Sequence, residues 1–239
     1  MAIWTQRASI PWRQNIGFYE RRYEILRDLE QKGLLRRFQD RPHQLAMRLQ
    51  AAHQLVTFGA DGLFFAALKP DSDLDVVRAA VEVVWEALAP EPQGLPLFNF
   101  QWLTPCGRPY DEARDVAAKA FVGSDHPARV TDFAVVLDGK FDEPFDDFHL
   151  AAGVVEAAET PGRLARGLSR GENERDVPPG IWSVEDLPAV AVFCQVEVDR
   201  ISLEPGDIVE DAFSALESAR DSADALRTSI LTPLRDKKL

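Results

Sequence analysis

Cysteine is scarce in this chain. Cys106 and Cys194 are the only two among 239 residues, and their separation matches no metal or redox spacing, which argues against a disulfide framework. No apolar run approaches the roughly 18–20 residues that a membrane-spanning helix requires. The opening stretch, MAIWTQRASIPWRQ, lacks the apolar core and small-residue cleavage site of a signal peptide, so the expected compartment is the bacterial cytoplasm. The four histidines, His43, His53, His126 and His149, form no ligand spacing. Ser124, Asp125 and His126 are sequence neighbours whose side chains point apart, which excludes a triad there. Neither a Walker pattern nor a glycine fingerprint after a strand is present. No metal, cofactor or nucleotide is therefore expected.

What the chain does have is apolar mass, 46% of its residues, and a net charge of −12. The first fills a core, and the second repels a phosphate backbone, so nucleic acid is a disfavoured partner. The charge is unevenly spread. Residues 1–50 hold ten Lys and Arg against five Asp and Glu, leaving 17 basic and 34 acidic residues in the remainder. A basic segment containing Arg21, Arg22, Arg27, Lys32, Arg36, Arg37 and Arg41 is suited to an acidic protein surface, either the rest of this fold or a second copy. The interspersed Glu20, Glu24, Asp28 and Glu30 weigh against nucleic acid at the same place.

Periodicity predicts a helix over Phe18–Lys32 ending at Gly33, then strands over His43–Gln50, Gln54–Phe58 and Leu63–Leu68, the last two joined as a hairpin by Gly59–Gly62. After Pro70 the period changes to 3.6 through Leu74, Val77, Val81, Val84 and Leu88, with Asp71, Ser72 and Asp73 as cap chemistry. A strand follows over Leu97–Leu103 and a helix over Tyr110–Val122. The second half reads as a strand over Val130–Leu137, a turn at Asp138-Gly139, an acidic loop over Phe141–Phe148 and a strand over Leu150–Ala158. Residues 160–188 read as an exposed loop anchored by Trp182. In the strand Val190–Ile201, Val192, Cys194, Val196 and Val198 share one face and Gln195, Glu197 and Asp199 the other, which predicts a sheet covered on one side. A long helix closes the chain from Asp207 to about Leu231, opened by an Asp207/Glu210 capping box. Its stripe of Val209, Ala212, Leu216, Ala219, Ala223, Leu226 and Ile230 suits the sheet or another subunit.

Each chemical motif has a plain alternative. Gly167-Leu168-Ser169-Arg170-Gly171 matches a nucleophile elbow, but its Gly, Pro and Glu-rich flanks describe a loop where strand and helix are required. Asp71, Asp73, Asp75 and Glu82 imitate a calcium loop, but Val76 stands where the turn glycine belongs. Asp142, Glu143, Asp146, Asp147 and His149 crowd one loop with three readings: a solvated acidic surface, a protein contact built with the interleaved Phe141, Phe145 and Phe148, and a site for a divalent ion or a general acid and base.

The segment Phe213-Ser214-Ala215-Leu216-Glu217 through Leu226-Arg227-Thr228-Ser229-Ile230-Leu231-Thr232, preceded by the strand Val192–Asp199, resembles the carboxyl end of a sporadically distributed family of uncharacterised bacterial proteins. The resemblance implies a sheet-rich body before a final helix and carries over no catalytic residues. The expected fold is α+β, an antiparallel sheet with helices on one face and a long terminal helix. Residues 1–42 read as a basic helical segment and 43–239 as one domain, with an order that allows two similar halves at 43–122 and 130–239. The expected function is that of a noncatalytic interaction or assembly protein. Rival readings are a small-ligand binder or enzyme with a pocket between the sheet and the 160–188 loop, and a nucleic-acid adaptor. The residues singled out for contact are Arg21, Arg22, Arg36 and Arg37, then Phe145, Asp146, Asp147 and Phe148, and finally Leu226 and Ile230.

Overall fold

Alternating strands and amphipathic helices give an α+β architecture in the computed structural model, which describes residues 3–51, 53–69, 73–122, 133–141, 145–165, 182–200 and 207–236. The first run of elements is β1 (Ile3–Pro11), α1 (Gly17–Gln31), β2 (Leu35–Asp40), β3 (Gln44–Leu49), β4 (Gln54–Gly59), β5 (Gly62–Ala67) and α2 (Asp75–Leu88). The second is β6 (Leu97–Pro105), α3 (Tyr110–Val122), β7 (Ala134–Lys140), β8 (Phe145–Glu156), α4 (Thr160–Ala165), a single 3-10 turn at Val184–Asp186, β9 (Val190–Arg200) and α5 (Ile208–Asp236). The nine described strands join one antiparallel sheet in the order β2-β3-β4-β5-β1-β6-β9-β8-β7.

That order has an internal symmetry. The antiparallel pair β1/β6 lies near its centre; β5, β4 and β3 extend from β1, and β9, β8 and β7 extend from β6. A helix follows β1 and β6, another follows β5 and β9, and among the described residues β2 is the one strand without a counterpart. On one face the helices lie side by side, α1 against α2, α2 against α5 and α5 against α3. Val77, Val81 and Val84 of α2 and Ala212, Leu216 and Ala219 of α5 are buried there against Phe65, Phe98, Phe100 and Val196. Burying one such aliphatic side chain contributes about 1.5–3 kcal/mol.

Local chemistry explains the boundaries. Gly59 ends β4 where a Cβ would meet the His43 carbonyl oxygen at 2.6 Å, so no larger residue fits without movement. Asp207 Oδ1 accepts from the Glu210 N–H at 3.0 Å and caps α5, while the Glu210 carboxylate turns to Arg78 instead of reaching back. At α2 the cap is Leu74, with no side-chain cap bond. Asp73 Oδ1 accepts from the Asp75 N–H at 2.9 Å; Asp71 and Ser72 lie outside the described residues.

Three local expectations change. Residues 1–42 contain two strands that periodicity does not announce: β1 carries Thr5, Gln6 and Arg7 at its centre, and the edge strand β2 is almost wholly exposed, so neither shows a buried stripe. No turn occurs at Asp138-Gly139, because β7 continues to Lys140 and β8 resumes at Phe145. The polar face of β9 is not open either. Gln195, Glu197 and Asp199 are buried, since α4 and residues 182–187 cover part of that face with Leu164, Trp182 and Leu187. Trp182 is an anchor as expected, donating Nε1–H to the Leu68 carbonyl at 2.9 Å.

Candidate functional site

The basic segment becomes one corner of the molecule. Phe18, Ile25 and Leu29 fasten α1 to the sheet, and α2 covers one of its flanks. Ile16 at the N-cap of α1 and Tyr19 and Tyr23 within it are 71%, 41% and 57% exposed, and β2 presents Phe38 at 53%. Seven large hydrophobic residues among the described ones are this exposed, and four of them lie in these two elements or at the N-cap of α1. Arg22 joins the elements, with Nη1 3.0 Å from Asp40 Oδ1 and its guanidinium 5.0 Å from the Tyr23 ring centre. Tyr23 donates its hydroxyl to Asp40 Oδ2 at 2.7 Å, and that bond raises the phenol's pKa. Tyr19 and His43 meet through Oη and Nδ1 at 2.9 Å. Arg21 donates to the Ala87 carbonyl near the end of α2 at 2.7 Å. Arg36 and Arg37 are exposed on β2, where a register shift lies between Leu35 and Arg37.

The other contact residues lie elsewhere and are more enclosed than exposed loop aromatics would be. Phe145 is buried and Phe148 half-buried, and both close on Phe141 with ring centres 6.3 and 4.9 Å away. Only the acids of that run face outward. Asp146 and Asp147 hold Lys140 Nζ at 3.1 and 3.5 Å, which raises the Lys140 pKa, chiefly through the Asp146 hydrogen bond. Leu226 and Ile230 pack half-buried against the main core, and the stripe from Val209 to Ala223 lies beneath α5. Asp142 and Glu143, like Ser169, fall outside the described residues. Among the described residues no three of His, Cys, Asp and Glu gather as metal ligands.

A second site lies on the sheet face opposite the four long helices. Strand register brings Arg7, Asn99, Glu197, His149 and Asp138 into one row across β1, β6, β9, β8 and β7. Thr5, Gln101 and Gln195 form the next row. Thr5 Oγ1 donates to Gln101 Oε1 at 2.6 Å, and Gln101 Nε2 donates to Gln195 Oε1 at 3.0 Å. Glu197 Oε1 accepts from Gln195 Nε2 at 2.9 Å and Asn99 Nδ2 at 3.1 Å. Arg7, only 1% exposed, donates to the Leu164 carbonyl of α4. Burial pushes its guanidinium down to about 10, with the Glu197 charge opposing the shift. The row opens into a cavity of about 520 Å³ whose lining includes Asp138, Asp147, His149, Glu197 and Asp199. His149 Nδ1 is 2.7 Å from Asp138 Oδ1.

No family model matches the chain, and no curated protein matches it. The functional reading therefore rests on these two places. The sequence shows the arginines of the corner but not its aromatics. A useful signal was present: Ile16, Tyr19 and Tyr23 recur at steps of three and four, a stripe separate from Phe18, Ile25 and Leu29. The polar ladder was half visible in Gln195, Glu197 and Asp199. Its partners Asn99 and Gln101 alternate with Phe98, Phe100 and Trp102, and Arg7 carried no pattern at all.

Proposed function

We propose that this protein acts without catalysis, by docking another protein surface on the corner formed by α1 and β2. The observation that supports the reading is the concentration of exposed Ile16, Tyr19, Tyr23 and Phe38 beside Arg22, Arg36 and Arg37. Aromatic residues and arginine are enriched at protein interfaces because they combine large apolar area with directed polar contacts. Arg22 is pre-positioned by Asp40 and the Tyr23 ring, so part of the ordering cost of binding is met before contact. The setting is the bacterial cytoplasm.

Site-specific photocrosslinking tests this reading. A benzophenone side chain at position 23 or 38, introduced in cells, is expected to give discrete protein adducts, while the same group at Glu217, exposed on α5, gives none. Equal labelling at all three positions, or none, refutes it.

A specific observation also favours a small-ligand reading. The cavity of about 520 Å³ falls within the volume range of ligand sites, and Glu197 is held in place by Asn99 and Gln195. A rise in melting temperature with a small organic cation, lost in Glu197→Gln, supports that reading.

A further inference from the structure

β2 ends the sheet, paired to β3 on one side only among the described strands. A six-residue edge strand with exposed backbone is a template for one more strand. Register shows which way its side chains point. Phe38 opposes Met47 and Asp40 opposes Leu45, both buried in the helix-side core, whereas Arg37 opposes the exposed Arg48. Phe38 and Asp40 are therefore on the helix side of the sheet and Arg37 on the other.

We infer that the surface received at this corner is that of a second copy of the chain, joined β2 to β2 in antiparallel fashion about a twofold axis at Phe38. The inference rests on the corner being a protein-binding surface and names its occupant. A twofold axis normal to the sheet keeps the helices of both copies on one side and sets helix-side residues opposite helix-side residues. Three central registers satisfy that condition. Centring on Arg37 stacks Arg37 against its own copy, and centring on Gln39 sets Arg37 opposite Arg41. Like charges directly opposed across strands destabilise a pair. Centring on Phe38 instead sets Phe38 against Phe38, Arg37 against Gln39, and Arg36 against Asp40.

The helix layer agrees with this register. The flank of α1 not covered by α2 carries Tyr19 and Tyr23, and α1 also contacts β2. Pairing two β2 edges brings the two α1 flanks together and covers Tyr23 and Phe38 in both copies. The same operation already exists inside the chain, where antiparallel β1 and β6 join two runs of elements with their helices on one side. The contact is isologous and closes after two copies.

Light scattering and cysteine crosslinking test the inference on the full chain. Wild-type protein is expected to reach twice 26.7 kDa as concentration rises, and Phe38→Asp is expected to halve that mass with an unchanged circular dichroism spectrum. In the proposed register Phe38 directly faces its own copy at about 4.5–5.5 Å between Cα atoms, within disulfide reach. Phe38→Cys is therefore expected to form a covalent dimer on mild oxidation. Gln39→Cys and Val136→Cys, on the opposite edge, are expected to match the wild-type blank, which carries Cys106 and Cys194. A wild-type monomer at every concentration overturns the inference. So does a dimer that crosslinks through Val136→Cys and not Phe38→Cys. If the protein is monomeric while positions 23 and 38 photocrosslink to a different polypeptide, the docking reading stands and only the second copy is excluded. If they crosslink to nothing, both fall.

Discussion

Arg7→Met is the sharpest test of the buried polar ladder. The substitution keeps about the length of the aliphatic stem while removing the guanidinium that donates to the Leu164 carbonyl and interacts with the Glu197 charge. Losing a buried hydrogen bond from a charged donor costs about 1.5–3 kcal/mol. With a urea slope of about 3 kcal/mol/M, that loss lowers the unfolding midpoint by about 0.5–1 M. Because the Glu197 charge acts on Arg7, the effects of Arg7→Met and Glu197→Gln are expected to be non-additive. A double-mutant cycle by urea denaturation at pH 7 measures both the loss and the coupling. An Arg7→Met loss below about 0.5 kcal/mol, the range of ordinary surface changes, or additive single effects, refutes the assignment of Arg7 and Glu197 to one buried network.

Two further outcomes concern the thiols and the final helix. Cys194 is buried and its thiol is pushed up to about 12 by desolvation, while Cys106 is half-buried, so a native sample at pH 8 is expected to take up one thiol reagent per chain and a denatured one two. Because the folded-state value lies above the thiol's ordinary value of 9.0, the stability contributed by the protonated Cys194 is present below about pH 9 and is lost as pH rises toward 12; alkaline unfolding curves of wild type and Cys194→Val test that sign. Asp207→Ala removes the cap on the Glu210 N–H and is expected to cost about 0.5–2 kcal/mol, a fall of several degrees in melting temperature by calorimetry.

The sequence was most readable where one face of an element is buried. α2 shows its helical stripe from Val77 to Leu88, β6 its three aromatics, and α5 both its cap and its seam. It was least readable where burial is two-sided or absent. Gln195, Glu197 and Asp199 look like a solvent face because each is polar. They are buried because Asn99, Gln101 and α4 surround them, a fact of strand neighbourhood that no local period contains. β2 presents the reverse case: an edge strand with little burial has no stripe to detect, and its arginines were legible while its strand character was not. The corner at Tyr23 and Asp40 depends on residues seventeen positions apart that only the turn between α1 and β2 brings together. Arg7 lay in a stretch with no motif, and its role follows entirely from β1 pairing with β6.

The position of β1 bears on the order in which the molecule can assemble during synthesis. One of its neighbours, β5, is made before residue 70, but the other, β6, is complete only at Pro105. For that interval β1, once it has emerged from the ribosome, has at least one edge without its final partner. An apolar strand in that state is a ready seed for pairing with other nascent chains. Thr5, Gln6 and Arg7 at its centre make it a poor one. The same three residues that complicate the finished core would then keep its first strand soluble until β6 arrives.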